Sequence, residues 1–371
     1  MDALARLTEL AKLPPAERPV VSVYLNTRWT DESQRERVRI FLKNHLREAR
    51  AVASAGDLAW IKVQGQRLLT GSTLREAAGV VLFAGGDGLR EVLPVRAAFE
   101  EAFVVDARPH LRPLAGALDE IVPALVVFVD GAHARLLALT PEGRDEEVTL
   151  RSEVEGRHAA TGWADRAQAR YQRHIEEQRG EHYEAVAGAV EELARRHGVR
   201  RIVLAGEVRA VGLFRDHLAT ELDGWVVGVI SAAGHEPMAA IAERAVEHLA
   251  RVEEQEDAEA VDRLLDAAAK GGRAVAGLEP TLEAVNRNAV QQLYLLPSFE
   301  RRGAICQGCR ALQPPAPSDR CRFCGEAARP AELGEAMTGR VLASGGSVDL
   351  VDRHAGLGAQ GGVGAILRYA A

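Results

Sequence analysis

The sequence predicts a protein of α/β character (α+β overall), folded as three domains with a βαβ-type middle domain. Three observations carry that expectation. The chain has 371 residues, more than one core usually holds at roughly 100–200 residues per domain. Short β-branched apolar runs alternate with helical periodicities along much of it. Its composition, 47% hydrophobic and 27% charged, is that of folded protein and sets aside disorder, collagen and coiled coil. Boundaries are expected near residues 120 and 255, giving segments 1–120, 121–255 and 256–371.

In the first segment, Pro19 to Asn26 (PVVSVYLN) reads as a strand ending at a turn-prone Asn. Val38, Phe41, Leu42 and Leu46 then recur at helical spacing within Arg35 to Arg50, with Ser33 and Glu36 as a capping box. Gly79 to Ala84 and Leu89 to Val95 flank Gly85-Gly86-Asp87-Gly88, which predicts an antiparallel hairpin rather than a phosphate loop.

The second segment opens with another hairpin, Ile121 to Val129 and Ala134 to Leu139 around Asp130-Gly131, and Val148 to Val154 adds a third strand. Glu155 to Asp165 has no period and reads as a loop of functional length. A helix is expected from Arg166 to His197 with Gly198 closing it, then a strand at Arg201 to Ala205, a helix at Phe214 to Leu222 and a strand at Trp225 to Ile230. Met238 to Lys270 is helical and Ala-rich, and its acidic run at Glu253, Glu254, Glu256, Asp257 and Glu259 reads as a solvated hinge between two helices. In the third segment, Ala274 to Gly277, Gln292 to Leu296, Ser347 to Val351 and Val363 to Tyr369 supply strands.

Charge and targeting narrow the function classes. The net charge is -7, with 46 Lys plus Arg against 53 Asp plus Glu, so nucleic acid cannot coat the whole surface and any RNA contact must be local. No apolar run approaches the roughly 18 residues of a membrane span, and Met1 to Arg6 does not resemble a secretory signal. A cytoplasmic protein with no membrane partner is expected.

All four cysteines fall in two CxxC knuckles, Cys306 with Cys309 and Cys321 with Cys324. Each knuckle puts two thiolates on one tight turn, and Gly308 and Gly325 suit that backbone geometry. One structural Zn²⁺ is expected in an insert at 304–326, favoured over an iron–sulfur cluster, with the four thiolates leaving no open ligand position. Gly356-x-Gly358-x-x-Gly361 matches a dinucleotide fingerprint only as a string, because the chain has ten further residues where a helix and second strand are needed.

The most informative segment runs from Gly156 to Arg179. Arg157, Arg166, Arg170, Arg173 and Arg179 outnumber Asp165, Glu176 and Glu177, and His158, Trp163 and Tyr171 interleave with them. Cations neutralise phosphates and aromatic faces stack on bases, so Arg157, His158, Trp163, Arg166, Arg170, Tyr171 and Arg173 are candidate RNA contacts. An amphipathic helix with solvated arginines is the plainer alternative.

These residues resemble the archaeal and eukaryotic class I release factor and Pelota superfamily. Its members carry a Gly-Gly-Gln loop after the third strand of the middle domain, followed by a helix beginning Ser-Ala-x-Arg-Phe-x-Arg. Here Gln168-Ala169-Arg170-Tyr171-Gln172-Arg173 resembles the helix start, and Gly156 to Gly162 the loop. Ala124 to Leu139 resembles the opening hairpin of the middle domain, and Ala258 to Gly277 with Gly361 to Tyr369 resembles the last domain. The resemblance implies a decoding-domain-like first domain, a release-factor-like middle domain with a degenerate catalytic loop, and a GTPase-contacting third domain. That third domain would be kink-turn-binding-protein-like and carry the four-cysteine zinc knuckle.

Two departures point to a divergent bacterial branch that includes Balon-like hibernation factors and peptidyl-tRNA hydrolase relatives. The stop-codon-reading Thr-Ala-Ser-Asn-Ile-Lys-Ser segment is missing, and Thr161-Gly162-Trp163 stands near the place of Gly-Gly-Gln, leaving Gln168 as the nearest glutamine. The resemblance therefore implies a ribosome-binding factor acting in hibernation or rescue by A-site occupancy, without stop-codon reading. Its partners would be the ribosome, through ribosomal RNA or tRNA, and a translational GTPase such as EF-Tu; no DNA partner is expected. The alternatives are peptidyl-tRNA ester hydrolysis, with Gln168 or His158 positioning water, and a ribosome-independent RNA-binding protein.

Overall fold

A computed structural model of the chain describes residues 3–29, 32–71, 77–85, 88–120, 122–141, 145–152, 165–315 and 319–369. They pack as two compact units, Met1–Ile121 with Glu254–Ala371, and Val122–Glu253. Several sheets of mixed α and β structure result. No helix among the described residues is long and apolar enough to cross a membrane.

The chain begins α1 (Ala3–Lys12), β1 (Val20–Asn26), α2 (Glu32–Glu48), α3 (Ala55–Thr70), β2 (Gly79–Gly85), β3 (Leu89–Val95), β4 (Ala102–Asp106) and α4 (Arg112–Glu120). The strands form one antiparallel sheet in the order β3-β2-β1-β4. Side chains alternate across β1: Val21, Val23 and Leu25 meet Val38 and Leu42 of α2 and Leu58 and Ile61 of α3. Tyr24 instead joins Leu7 and Leu10 of α1 and Leu114 of α4. With both faces covered, a strand reads as a continuous apolar run, which is why β1 was visible in the sequence. Helices α1, α3 and α4 and strand β4 are not among the elements the periodicities predict. In α4 the helical signal is diluted by Gly116, where a Cβ would stand 2.3 Å from the Leu350 side chain.

The second unit contains β5 (Ala124–Val129), β6 (His133–Leu139), β7 (Glu146–Arg151), α5 (Asp165–His197), β8 (Arg201–Gly206), α6 (Val208–Arg215), α7 (Thr220–Asp223), β9 (Val226–Ser231) and most of α8 (Met238–Ala269). Its sheet runs β7-β6-β5-β8-β9, antiparallel from β7 to β5 and parallel from β5 to β9. Leu125 and Val127 pack under Val186 and Val190 of α5, whereas Val126 and Phe128 pack under Ile241 and Ala245 of α8. The sheet is thus sandwiched between helices, the arrangement expected from βαβ connections.

Two expectations need correction here. Met238–Ala269 is one helix and not two around a hinge. Its acidic run is supported from outside and within, by Arg201 paired with Glu253 and by Gln255 and Arg263 reaching Glu259 one turn away. The helix predicted over Phe214 to Leu222 is instead α6 and α7, because the chain turns at residues 216–219.

The rest of the first unit adds β10 (Ala274–Ala276), α9 (Leu278–Asn286), β11 (Val290–Leu295), β12 (Arg302–Cys306), β13 (Leu312–Gln313), β14 (Ala328–Glu332), α10 (Leu333–Ala343), β15 (Ser347–Leu350), α11 (Ala355–Ala359) and β16 (Val363–Leu367). One sheet has the order β10-β16-β11-β15, and a smaller antiparallel one β13-β12-β14. The Gly356-x-Gly358-x-x-Gly361 string lies on and just after the five-residue α11, too short a helix for a dinucleotide fold.

Residues from both ends of the sequence share a core, in which Leu7, Leu10 and Leu114 meet Met337, Val341 and Val348. A polar knot fixes the register of that packing. Glu335 on α10 accepts the N–H groups of Leu111 at 2.6 Å and Arg112 at 3.0 Å, capping the start of α4, and binds His110 Nδ1 at 2.9 Å. Arg112 in turn donates to the carbonyls of Leu296, Pro297 and Phe299.

Burial pulls the His110 pKa down, but the Glu335 hydrogen bond and the charges of Glu335 and Glu332 outweigh it and leave it above 6.5. A raised folded-state pKa means that the stabilisation is complete below the unfolded value of about 6.5 and is lost as pH rises through the folded value. We predict that the urea midpoint falls as pH rises above the unfolded value of about 6.5 and that His110→Gln flattens this fall. Equal slopes in the two proteins would remove His110 from the account.

Candidate functional site

The described part of the second unit shows what ties the end of β7 to the β5–β6 turn and to α5. The β5–β6 turn is tied by Asp130, whose Oδ1 accepts from Ala132 N and His133 N at 2.8 Å each. Next to it, Ser152 at the end of β7 donates its N–H to Ala132 O at 2.9 Å and shares a 2.8 Å hydrogen bond between its hydroxyl and His182 Nδ1. Arg179 lies over the turn, so close that a Cβ on Gly131 would stand 3.0 Å from its Nε.

His182 is 1% exposed. Burial lowers its pKa, partly offset by a backbone hydrogen bond at His133 and the charge of Asp130. A neutral imidazole therefore pins α5 to the strand end. Asp165 to Glu181 adds seventeen residues of α5 before this pin, so about 25 Å of helix lies beyond it. Sequence reasoning missed Ser152 and His182 as a pair. The available signal was a histidine in the apolar stripe of Val186, Val190 and Leu193, where a buried polar group needs a partner.

Among the predicted RNA contacts, Arg173 is described and exposed on α5. Arg166, Gln168, Arg170 and Tyr171 fall within the span of α5, with side chains outside the described residues. Arg157, His158 and Trp163 lie outside the described residues altogether.

The cysteines do come together. Cys306 ends β12, Cys309 follows it, and Cys321 and Cys324 occupy the second knuckle. Sγ atoms of Cys306 and Cys324 are 3.4 Å apart and those of Cys309 and Cys321 3.6 Å, with all four within 4.8 Å. Four thiolates about 2.3 Å from one tetrahedral metal stand roughly 3.8 Å from each other, so the donor set fits a metal ion. Backbone N–H groups of Cys309 and Phe323 point at the sulfurs of Cys306 and Cys321, at 3.3 and 3.4 Å.

The thiols cannot all ionise without a cation. Burial raises the Cys306 pKa, but hydrogen bonds from Cys324 and the Cys309 and Gly308 backbone bring it below the usual thiol value. A backbone hydrogen bond at Ala311 lowers the Cys309 pKa, but burial and the three other thiols drive it up to about 12. The two glycines serve differently: Gly325 takes a φ of 78°, whereas a Cβ at Gly308 would meet Glu326 at 2.9 Å. Because the site closes only when the fold brings both knuckles together, metal affinity is part of folding stability. Chelation or Cys321→Ser should lower the melting temperature by roughly 5–10 °C. Purified protein with no bound metal and an unchanged melting point in Cys321→Ser would contradict this.

Similarity to known proteins follows the same division. Residues 109–250 match the model of the bacterial archaeo-eukaryotic release factor family 10. No curated protein matches the chain. Among solved structures, an archaeal translation termination factor, aRF1, is 17% identical over 100% of this chain and 99% of its own, with a TM-score of 0.27. Archaeoglobus fulgidus Pelota is 16% identical over 99% of this chain and 93% of its own, at 0.37. Saccharomyces cerevisiae Dom34, described as a translation termination-like factor that interacts with Hbs1, is 12% identical over 77% and 74%, at 0.42. Such scores leave the assignment to the family model. Residues 109–250, which include nearly all of the second unit, thus match the bacterial archaeo-eukaryotic release factor family 10.

Proposed function

We propose that the protein is a ribosome-associated translation factor that occupies the A site during hibernation or rescue, reading no stop codon. The observation that carries this reading is the family match over residues 109–250. Its chemistry is supported by the pinned root of α5, which offers a rigid base for a segment rich in arginine and aromatic residues.

Each of three domains has a task in this reading. Residues 1–120 face the decoding region, residues 121–255 present the loop and α5 to ribosomal RNA near the peptidyl-transferase centre, and residues 256–371 contact a translational GTPase such as EF-Tu. One Zn²⁺ on Cys306, Cys309, Cys321 and Cys324 maintains the last of these. With all four positions filled by thiolates, the ion has no vacancy for water or substrate, and its contribution is to the fold.

Phosphate contacts make binding sensitive to salt, even for a protein of net charge -7. Co-sedimentation with 70S ribosomes should weaken with salt, and replacing Arg170 and Arg173 together by Glu should reduce it at least about tenfold. Undiminished pelleting of that variant across low and moderate salt would leave α5 a solvated helix.

Catalysis is expected to be absent. Trp163 stands near the place where release chemistry needs a small residue, and indole donates a hydrogen bond but cannot accept a proton from water. Labelled peptide on ribosomal peptidyl-tRNA should be released no faster than background, while Trp163→Ala loses ribosome binding. Robust release abolished by Gln168→Ala would establish the hydrolase instead.

A further inference from the structure

The first unit encloses a cavity of about 400 Å³ that no part of the translation reading uses. It lies between the end of α1, the residues joining β4 to α4, and the β12, β14 and α10 side. Its size is within the about 300–1,000 Å³ usual for small-molecule sites. The floor is apolar, formed by half-buried Val104, Ile305, Ala331 and Ala336 together with the essentially fully buried Leu10, Leu111 and Leu312. At one end four arginines converge: Arg108, Arg310, Arg329 and Arg340.

How these groups are satisfied separates the two ends. Arg108 is held by Leu13 O at 3.1 Å and Arg340 by Arg310 O at 2.9 Å and Asn286 O at 3.1 Å, all neutral carbonyls, with the Cys309 thiol as the one negative neighbour of Arg340. Arg329 faces Asp106 at 3.5 Å, the single carboxylate at this end, and Asp106 already accepts from Ala107 N. Among the described residues no carboxylate pairs with Arg310, which is exposed and sits at a φ of 62°. The other two acids of the lining are committed elsewhere: Glu332 accepts from Gly334 N and Glu335 N, and Glu335 from Leu111 N and Arg112 N.

The Arg108 pKa is lowered, first by burial and then by Arg310, Arg329 and Arg340, with Asp106 alone opposing. Like charges gathered on one part of a cavity lining cost free energy unless an anion joins them. Guanidinium forks match phosphate oxygens in pairs, and an apolar floor beside them suits a flat, weakly polar body.

We propose that this cavity binds a nucleoside phosphate, with its phosphates among Arg108, Arg310, Arg329 and Arg340 and its base on the apolar floor. A diphosphate uses more of the four guanidiniums than a monophosphate, and a free nucleoside uses none. The site is independent of ribosome binding by α5.

Calorimetric titration of the full-length protein with ADP and GDP tests the assignment, with adenosine, guanosine, inorganic phosphate and a short single-stranded RNA as comparators. At low salt ADP or GDP should bind with a Kd of about 100 μM or below, and the matching nucleoside and inorganic phosphate at least about tenfold more weakly. Arg310→Gln and Arg329→Gln should each weaken nucleotide binding about tenfold while leaving the melting temperature of the free protein near wild type. Among the described residues no side-chain hydrogen bond or ion pair ties Arg310 into the fold, so its substitution isolates binding from folding. No binding of either nucleotide near about 1 mM would overturn the proposal. So would unchanged affinity in both variants, phosphate alone binding as well as the nucleotide, or tighter Arg310-dependent binding of the RNA.

Discussion

The packing of α1 and α4 against α10 is the constraint on which the first unit depends. Leu7, Leu10 and Leu114 are separated from Met337 and Val341 by more than two hundred residues of sequence, yet all are essentially dry in one core. Apolar burial of this kind contributes about 1.5–3 kcal/mol per large side chain and supplies most of the stability, but it is indifferent to register. The knot of Glu335, His110 and the α4 N–H groups is directional, and each of its charge-assisted bonds contributes about 1.5–3 kcal/mol. It selects the one alignment in which α4 begins at Arg112 and β15 can meet Gly116. The same alignment brings Arg108 near Arg310, Arg329 and Arg340.

The middle unit solves a different problem, that of presenting a long helix from a thin sheet. Val186, Val190 and Leu193 bury the C-terminal half of α5 on β5 and β6. His182 lies on the same buried side, and Ser152 meets it from the end of β7. A neutral histidine is suited to this position, since a charged one would lose its hydration without a carboxylate in hydrogen-bond contact. The N-terminal half of α5 is thus held at a point whose chemistry is independent of the arginines along it.

Legibility varied with the source of order. Strands β1, β2, β5 and β8 were plain because sheets covered on both faces carry unbroken apolar runs, and the hairpins because glycine-rich turns have few other uses. The two CxxC knuckles were equally plain, since tetrahedral thiolate coordination demands that spacing. Helix α4 was hidden by Gly116, a residue chosen for contact with Leu350 and not for helix propensity. The acidic run in α8 misled in the other direction: local repulsion suggested a break, whereas Arg201 from a neighbouring strand holds Glu253 in place.

What the sequence determined by itself was local: strand and helix periods, turn chemistry, the thiolate quartet and the basic, aromatic segment that resembles a release factor's. What only the tertiary structure decided were the meetings between distant residues, namely the shared core of the two chain ends, the Ser152–His182 pin and the convergence of four arginines on one cavity. Periodicity records which face of an element is buried and says nothing about its partner. Which surfaces meet depends on shape complementarity and on satisfying every buried polar group, and those conditions exist only once the chain has closed on itself.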